Sequence, residues 1–108
     1  MRFLLTMNGG GPEADERLYA EMGSFVEELS RTGALLATGG LDAGTRMRAS
    51  GGKVTFTDGP FTEAKETIVS FALLDVRTEE EARELARRFW GIVGDGQGDL
   101  RRVFGPEG

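Results

Sequence analysis

The sequence predicts an α+β fold with elements in the order β-α-β-β-α-β, an antiparallel sheet carrying two helices on one face. Two segments, residues 14–32 and one opening at Thr78, repeat apolar residues every three or four positions, the period of an amphipathic helix. Short extended patterns bounded by Gly, Pro, Asn and Asp separate and flank them. The segment 67–76 is apolar on both of its faces, and a strand of that kind must be covered on both.

Arg2-Phe3-Leu4-Leu5-Thr6-Met7 leaves no room for a helix before the glycines and reads as the first strand. Asn8-Gly9-Gly10-Gly11-Pro12 is a loop by composition. The helix 14–32 places Leu18, Met22, Phe25 and Leu29 in one stripe, widened by Tyr19 and Val26. Asp15 or Glu16 suits its positive N-terminal end, and Gly33 is a stop signal. Residues 34–41 form a second extended segment, kinked at Gly39-Gly40. Residues 45–49 extend or re-enter the sheet, Ser50-Gly51-Gly52 turns the chain, and 53–57 alternates as a third strand. In the strand 67–76, Ile68, Ala72 and Leu74 share one face and Val69, Phe71 and Leu73 the other. Thr78 with Glu81 makes a capping box, and Ala82, Leu85, Ala86 and Phe89 form the second helical stripe. Trp90, Ile92 and Val93 carry apolar character past this helix, a Gly-rich loop follows, and 100–104 is the last strand.

This order is the split βαβ plan of ferredoxin-like folds. Two helices cover one face of such a sheet, so the opposite face is expected to meet a second copy. The expectation is a homodimer packed sheet against sheet, with a pocket between the sheet and its partner or its own loops.

The chain has 108 residues and reads as one domain, 1–108. Its 39% apolar and 29% charged residues are those of an ordinary globular protein. It has neither Cys nor His. Thiolate chemistry, Ser-His-Asp triads and His-based metal sites are thereby excluded, and no metal or cofactor is expected. Acid/base work would fall to Asp, Glu, Lys or Tyr19. A net charge of −5 with scattered basic residues argues against nucleic acid. No apolar run approaches the ~20 residues of a membrane span, and no signal-like segment opens the sequence, so a cytoplasmic location is expected.

The candidate site is the run Asp58-Gly59-Pro60-Phe61 with Glu63, Lys65 and Glu66. Asp58-Gly59 alone fits a hairpin turn, but Pro60 restricts the residue before it and cannot donate to a ladder. A short ordered loop over 58–66 is expected instead, anchored by Phe61, with Glu63 and Lys65 on one side. Arg101 and Arg102 alternate in the last strand, so one of them can reach a pocket and grip an anionic group, while solvent exposure is the competing role. The triple-glycine loop lacks the Lys and Ser/Thr of a phosphate loop and reads as a lid or connector. Residues 95–99 lack the Gly and Glu of a calcium loop. Met7, Met22 and Met47 read as core filler, and Tyr19 and Trp90 as packed rings with a polar edge outward.

Asp58-Gly59-Pro60-Phe61 followed by Glu63, Lys65 and Glu66 resembles the signature of the DGPF, or YCII-related, family. The first strand, the Gly-rich loop, the first helix and the Gly33-Ala34-Leu35 exit sit where that family has them. The resemblance implies a dimeric α+β barrel, bacterial origin, and a poorly defined accessory role beside extracytoplasmic-function sigma factors. Some relatives carry a His-Asp pair in a cleft, and one branch resembles a dehydrochlorinase. This chain has no His, so that acid/base pair does not carry over. The combined reading is a dimeric accessory protein that binds a small anionic ligand near residues 58–66, with a sigma factor as candidate partner. The rival is a small lyase or isomerase in which Asp58 or Glu63 is the base and Lys65 the stabiliser.

Overall fold

In the computed structural model, which describes residues 1–11, 13–59 and 66–105, glycines and capping side chains set most of the element boundaries. The first strand is β1 (Arg2–Asn8), and helix α1 (Glu16–Thr32) follows the glycine loop. Asp15 is the N-cap, its side chain accepting from the Leu18 amide at 2.8 Å. Glu16 stands in the first turn, where the helix dipole favours an acid. Gly33 ends the helix at φ 83, a left-handed conformation that side chains with a Cβ resist. Strands β2 (Leu35–Gly40), β3 (Thr45–Ser50), β4 (Lys53–Asp58) and β5 (Ile68–Asp75) come next, then helix α2 (Glu79–Val93) and strand β6 (Gly98–Val103).

Four of these strands form the central antiparallel sheet, in the order β2-β5-β1-β6. Numbered by their rank within the sheet, they run 2-3-1-4, the ferredoxin-like arrangement in which each helix crosses to a strand one position removed. The register pairs Phe3 with Leu74 and Leu5 with Ala72. Those residues share one face with Leu35 and Leu100, and on it Phe3, Leu35 and Leu74 meet Phe25 and Leu29 of α1 and Ala82 of α2. The helices therefore lie on one face, as the apolar stripes predict. On the opposite face Leu4, Phe71 and Leu73 are adjacent by register and only partly buried. The molecule is 19 Å through its shortest axis, room for one helix layer on one sheet and no more.

Three expectations are corrected. Residues 53–57 do not join the central sheet: β3 and β4 pair only with each other, as a separate two-stranded ribbon. Gly51 and Gly52, at φ 57 and 79, make the tight turn that closes this ribbon locally. Met47, expected as core filler, lies on it at 70% exposure. The second helix does not stop before Gly91 but runs to Val93. A helical glycine costs about 1 kcal/mol, and burying Val93 and packing Ile92 against the core outweigh it. The Thr78 half of the capping box holds, its side chain accepting from the Glu81 amide at 3.1 Å, while the Glu81 carboxylate reaches one residue past the cap and accepts from the Arg77 amide at 3.1 Å.

The two helices are joined by a bidentate pair, Arg88 to Glu28 at 2.7 and 2.9 Å, with the guanidinium 4.9 Å from the centre of the Phe25 ring. The hydrogen bond from Arg88 holds the Glu28 carboxyl below the ordinary carboxylate range, helped by the charges of Arg88 and Arg31 and opposed by partial desolvation. A carboxylate depressed in the folded state stabilises above its unfolded pKa, and the contribution disappears as pH falls through the folded value. Glu28→Gln is therefore expected to lower Tm by about 1–4 °C at pH 7, a difference that shrinks progressively as the melts are repeated at lower pH. Gly98→Ala tests the β1–β6 edge: a Cβ there collides with the Thr6 carbonyl of the neighbouring strand. Chemical denaturation of this variant should show a loss of about 2–4 kcal/mol.

Candidate functional site

Helix α1 is pinned to the sheet by its C-terminal half, where Phe25 and Leu29 are buried. Its N-terminal half stands away: Leu18 and Met22 are only partly buried, and Tyr19 is 70% exposed. The sheet beneath that half carries small side chains, Thr38 and Gly40 on β2 and Ser70 and Ala72 on β5. Large residues thus meet large residues at one end of the layer, and small residues face a lifted helix at the other. A cavity of about 680 Å³ opens between them. That volume lies within the range of small-molecule sites.

Leu5, Met7, Ala72 and Leu74 form the floor, Leu18, Met22, Phe25 and Val26 the roof, and Leu85, Phe89 and Val93 the far wall. The mouth is made by Asn8, Gly9, Gly10, Gly11 and Tyr19. Gly10 takes φ 86, which favours glycine, and the loop is tied down by amide bonds from Asn8 to Gln97 and from Gly9 to Thr67, at 2.8 and 2.9 Å. Because the Asn8 and Gly9 amides are engaged inside the protein, the start of the loop is an anchored rim.

The lining is chemically spare. Asn8, Thr38, Ser70 and Tyr19 contribute the polar side chains, and the Thr38 hydroxyl already donates to the Phe71 carbonyl at 2.8 Å. Among the described residues, no Asp, Glu, Lys or Arg lines the cavity. An environment of that kind favours an uncharged, mostly apolar ligand, since burying an unpaired charge is costly. No group of His, Cys, Asp or Glu that could hold a metal occurs among the described residues.

The residues singled out by sequence lie elsewhere. Asp58 closes the root of the β3–β4 ribbon: its Oδ1 accepts from the Thr45 hydroxyl at 2.9 Å, and the Gly59 amide donates to the Gly44 carbonyl at 3.0 Å. Glu66 is exposed just ahead of β5. Arg101 stands opposite Leu4 on the open face, and Arg102 opposite Phe3 with its guanidinium 4.7 Å from the Phe104 ring centre. None of these five is among the lining residues. Pro60, Phe61, Glu63 and Lys65 lie outside the described residues. The cavity lies between the sheet, α1 and the chain's own glycine loop. Sequence reasoning missed Gly9–Gly11, Met22, Ser70 and Ala72 as a group. For all but Met22 the signal is size: small residues collect at one end of β2 and β5 and in the loop after β1.

A model of the YCII-related domain matches residues 1–90. An uncharacterised protein of Rhizobium meliloti (strain 1021) is 32% identical over 78 residues, a match covering 69% of this chain and 63% of that protein's length. Among solved structures, the 5-chloro-2-hydroxyhydroquinone dehydrochlorinase of Burkholderia phenoliruptrix AC1100, in complex with 2,5-dihydroxybenzoquinone, superposes with a TM-score of 0.51 at 13% identity. That match spans 99% of this chain and 97% of the other, and the likeness is one of fold.

If the cavity is empty space in the free protein, filling it should stabilise. Ala72→Leu adds apolar atoms where none are displaced and is expected to raise stability by about 1–2 kcal/mol in chemical denaturation. A loss of stability would show the layer to be closed in solution.

Proposed function

This chain belongs to the YCII-related family, and we propose that it is a dimeric accessory protein that binds a small, uncharged ring compound in the cavity beneath the N-terminal half of α1. The observation that carries the reading is the lining: a cavity of about 680 Å³ with largely apolar walls and a few neutral polar groups. Phe25 and Phe89 supply aromatic faces, and Asn8, Thr38, Ser70 and Tyr19 supply orientation. The dehydrochlorinase of the same fold was solved with a quinone ring, a ligand of comparable size and flatness. An anionic ligand loses support, because Arg101 and Arg102 are away from the lining.

The dimer in this reading packs sheet against sheet, supported by Leu4, Phe71 and Leu73 on the open face. An extracytoplasmic-function sigma factor is the proposed protein partner, and co-purification after co-expression tests it. The rival, a lyase or isomerase using Asp58 or Glu63 with Lys65, draws on the dehydrochlorinase's fold. It needs a carboxylate in the cavity, whereas Asp58 is engaged by Thr45 at the ribbon root. Binding is therefore the preferred function.

Calorimetric titration separates neutral from anionic ligands. Hydroquinone should bind saturably to the wild type, and Ala72→Phe should weaken it at least about tenfold, a loss of roughly 1.4 kcal/mol. Arg101→Ala and Arg102→Ala should leave it unchanged. Saturable binding of benzoate that Arg101→Ala or Arg102→Ala abolishes, with no heat from hydroquinone, would overturn the assignment.

A further inference from the structure

Along its length the cavity beneath α1 changes character. The register lays its floor in rows that cross β2, β5 and β1. Leu35 and Leu74 make the inner row, packed in the same cluster as Phe25 and Leu29 of α1. Thr38, Ala72 and Leu5 make the middle row, and Gly40, Ser70 and Met7 the outer one. The inner row has no polar side chain. In the middle row the Thr38 hydroxyl has committed its proton to the Phe71 carbonyl at 2.8 Å. In the outer row no group among the described residues bonds the Ser70 hydroxyl. Tyr19, 70% exposed, stands beyond it at the mouth. Hydrogen-bonding capacity is thus concentrated at one end, and the other end is closed by Leu85, Phe89 and Val93.

That gradient sets what fills the space. A polar or charged group at the inner end finds no partner there, and burying it unpaired is costly. At the outer end a hydroxyl group can meet the Ser70 and Tyr19 side chains. Depth matters as well. From Ser70 to Leu74 the strand β5 advances about 13 Å, at roughly 3.3 Å per residue. A bare hydroxylated ring held at Ser70 covers only the outer part of that run. It leaves the inner part of the 680 Å³ to water, against walls that offer water no hydrogen bonds.

We propose that the ligand is amphipathic: a neutral ring whose hydroxyl lies against Ser70 and Tyr19, carrying an apolar tail that runs inward along β5 to Leu74 and Phe89. The chemical class is an alkyl-substituted phenol or hydroquinone, which rests on the reading of this cavity as a ring site. Ser70 decides which end of the molecule stays at the mouth. The apolar depth behind Ala72 rewards the tail, because each methylene placed there leaves water for side chains of its own kind.

Calorimetric titration of the wild type with 4-methylphenol, 4-butylphenol and 4-hexylphenol reads the tail directly. Each added methylene should tighten binding about two- to fourfold. In 6-(4-hydroxyphenyl)hexanoate a tail of similar length ends in a charge, and this compound should bind at least about tenfold more weakly than 4-hexylphenol. Ser70→Ala, checked for folding by a circular dichroism melt, should weaken every alkylphenol by one common factor of about two to ten and keep the step per methylene. Affinity that stays level or falls from methyl to hexyl overturns the tail and leaves the cavity a site for bare rings. Equal affinity for the carboxylate-ended compound puts the tail in solvent and overturns the proposal as well. A series unmoved by Ser70→Ala overturns the orientation. If neither the alkylphenols nor hydroquinone binds, the ring site and its tail fall together.

Discussion

Phe25 and Leu29 hold α1 to the sheet at one end only, against Phe3, Leu35 and Leu74, and the rest of the architecture depends on that asymmetric grip. Had the stripe been seated along its whole length, the layer would be solid and the molecule would have no interior space. Instead the glycine loop delivers the chain into α1 from beyond the sheet, and the small residues of β2 and β5 leave nothing for Leu18 and Met22 to press against. Helix α2 locks the tight end in place. Its Ala82 is fully buried beneath the core, and its Arg88 reaches across to Glu28 while covering the Phe25 ring. The exposed ion pair adds little by itself, but it sits where a shift of α1 would first be felt.

Most of the fold could be read in the residues, because each element carries its own local signal. Helical period, an acid at the start of the first helix, the Thr78 cap, the Gly33 stop and the two-faced strand 68–75 all act within a few positions, and all appear in the structure. Misreadings arose where tertiary packing overrides a local cue. Gly91 looks like a helix end, yet Ile92 and Val93 are worth more packed in a helix than released into a loop. Residues 45–58 alternate like sheet strands, but alternation does not say which strand is the neighbour, and a Gly51-Gly52 turn makes the nearest one sufficient.

The site was far less legible, and the reason is physical. Asp58-Gly59 with its charged sequel is conspicuous because ionisable groups in a turn stand out in any sequence, and Asp58 turns out to fasten a ribbon root. The cavity is built from what is absent: side chains that stop short at Thr38, Gly40, Ser70 and Ala72, beneath a helix end that stands away from them. No single residue announces a void. Only the register brings Ala72 next to Leu5 and Thr38 and turns scattered small residues into one floor.

The open face and the cavity are linked by chain connectivity. β5 contributes Leu74 to the core, Ala72 and Ser70 to the cavity floor, and Phe71 and Leu73 to the open face, so one strand serves all three. Its first residues are also where the chain returns from the ribbon. A strand used on both faces cannot shift for one partner without the other sensing it, because side chains at adjacent positions move together on a pleated backbone. A ligand in the cavity and a second copy on the open face, both proposals, would act on the same β5 segment from opposite sides. β5 is thus the element through which core packing, cavity shape and the open face are joined.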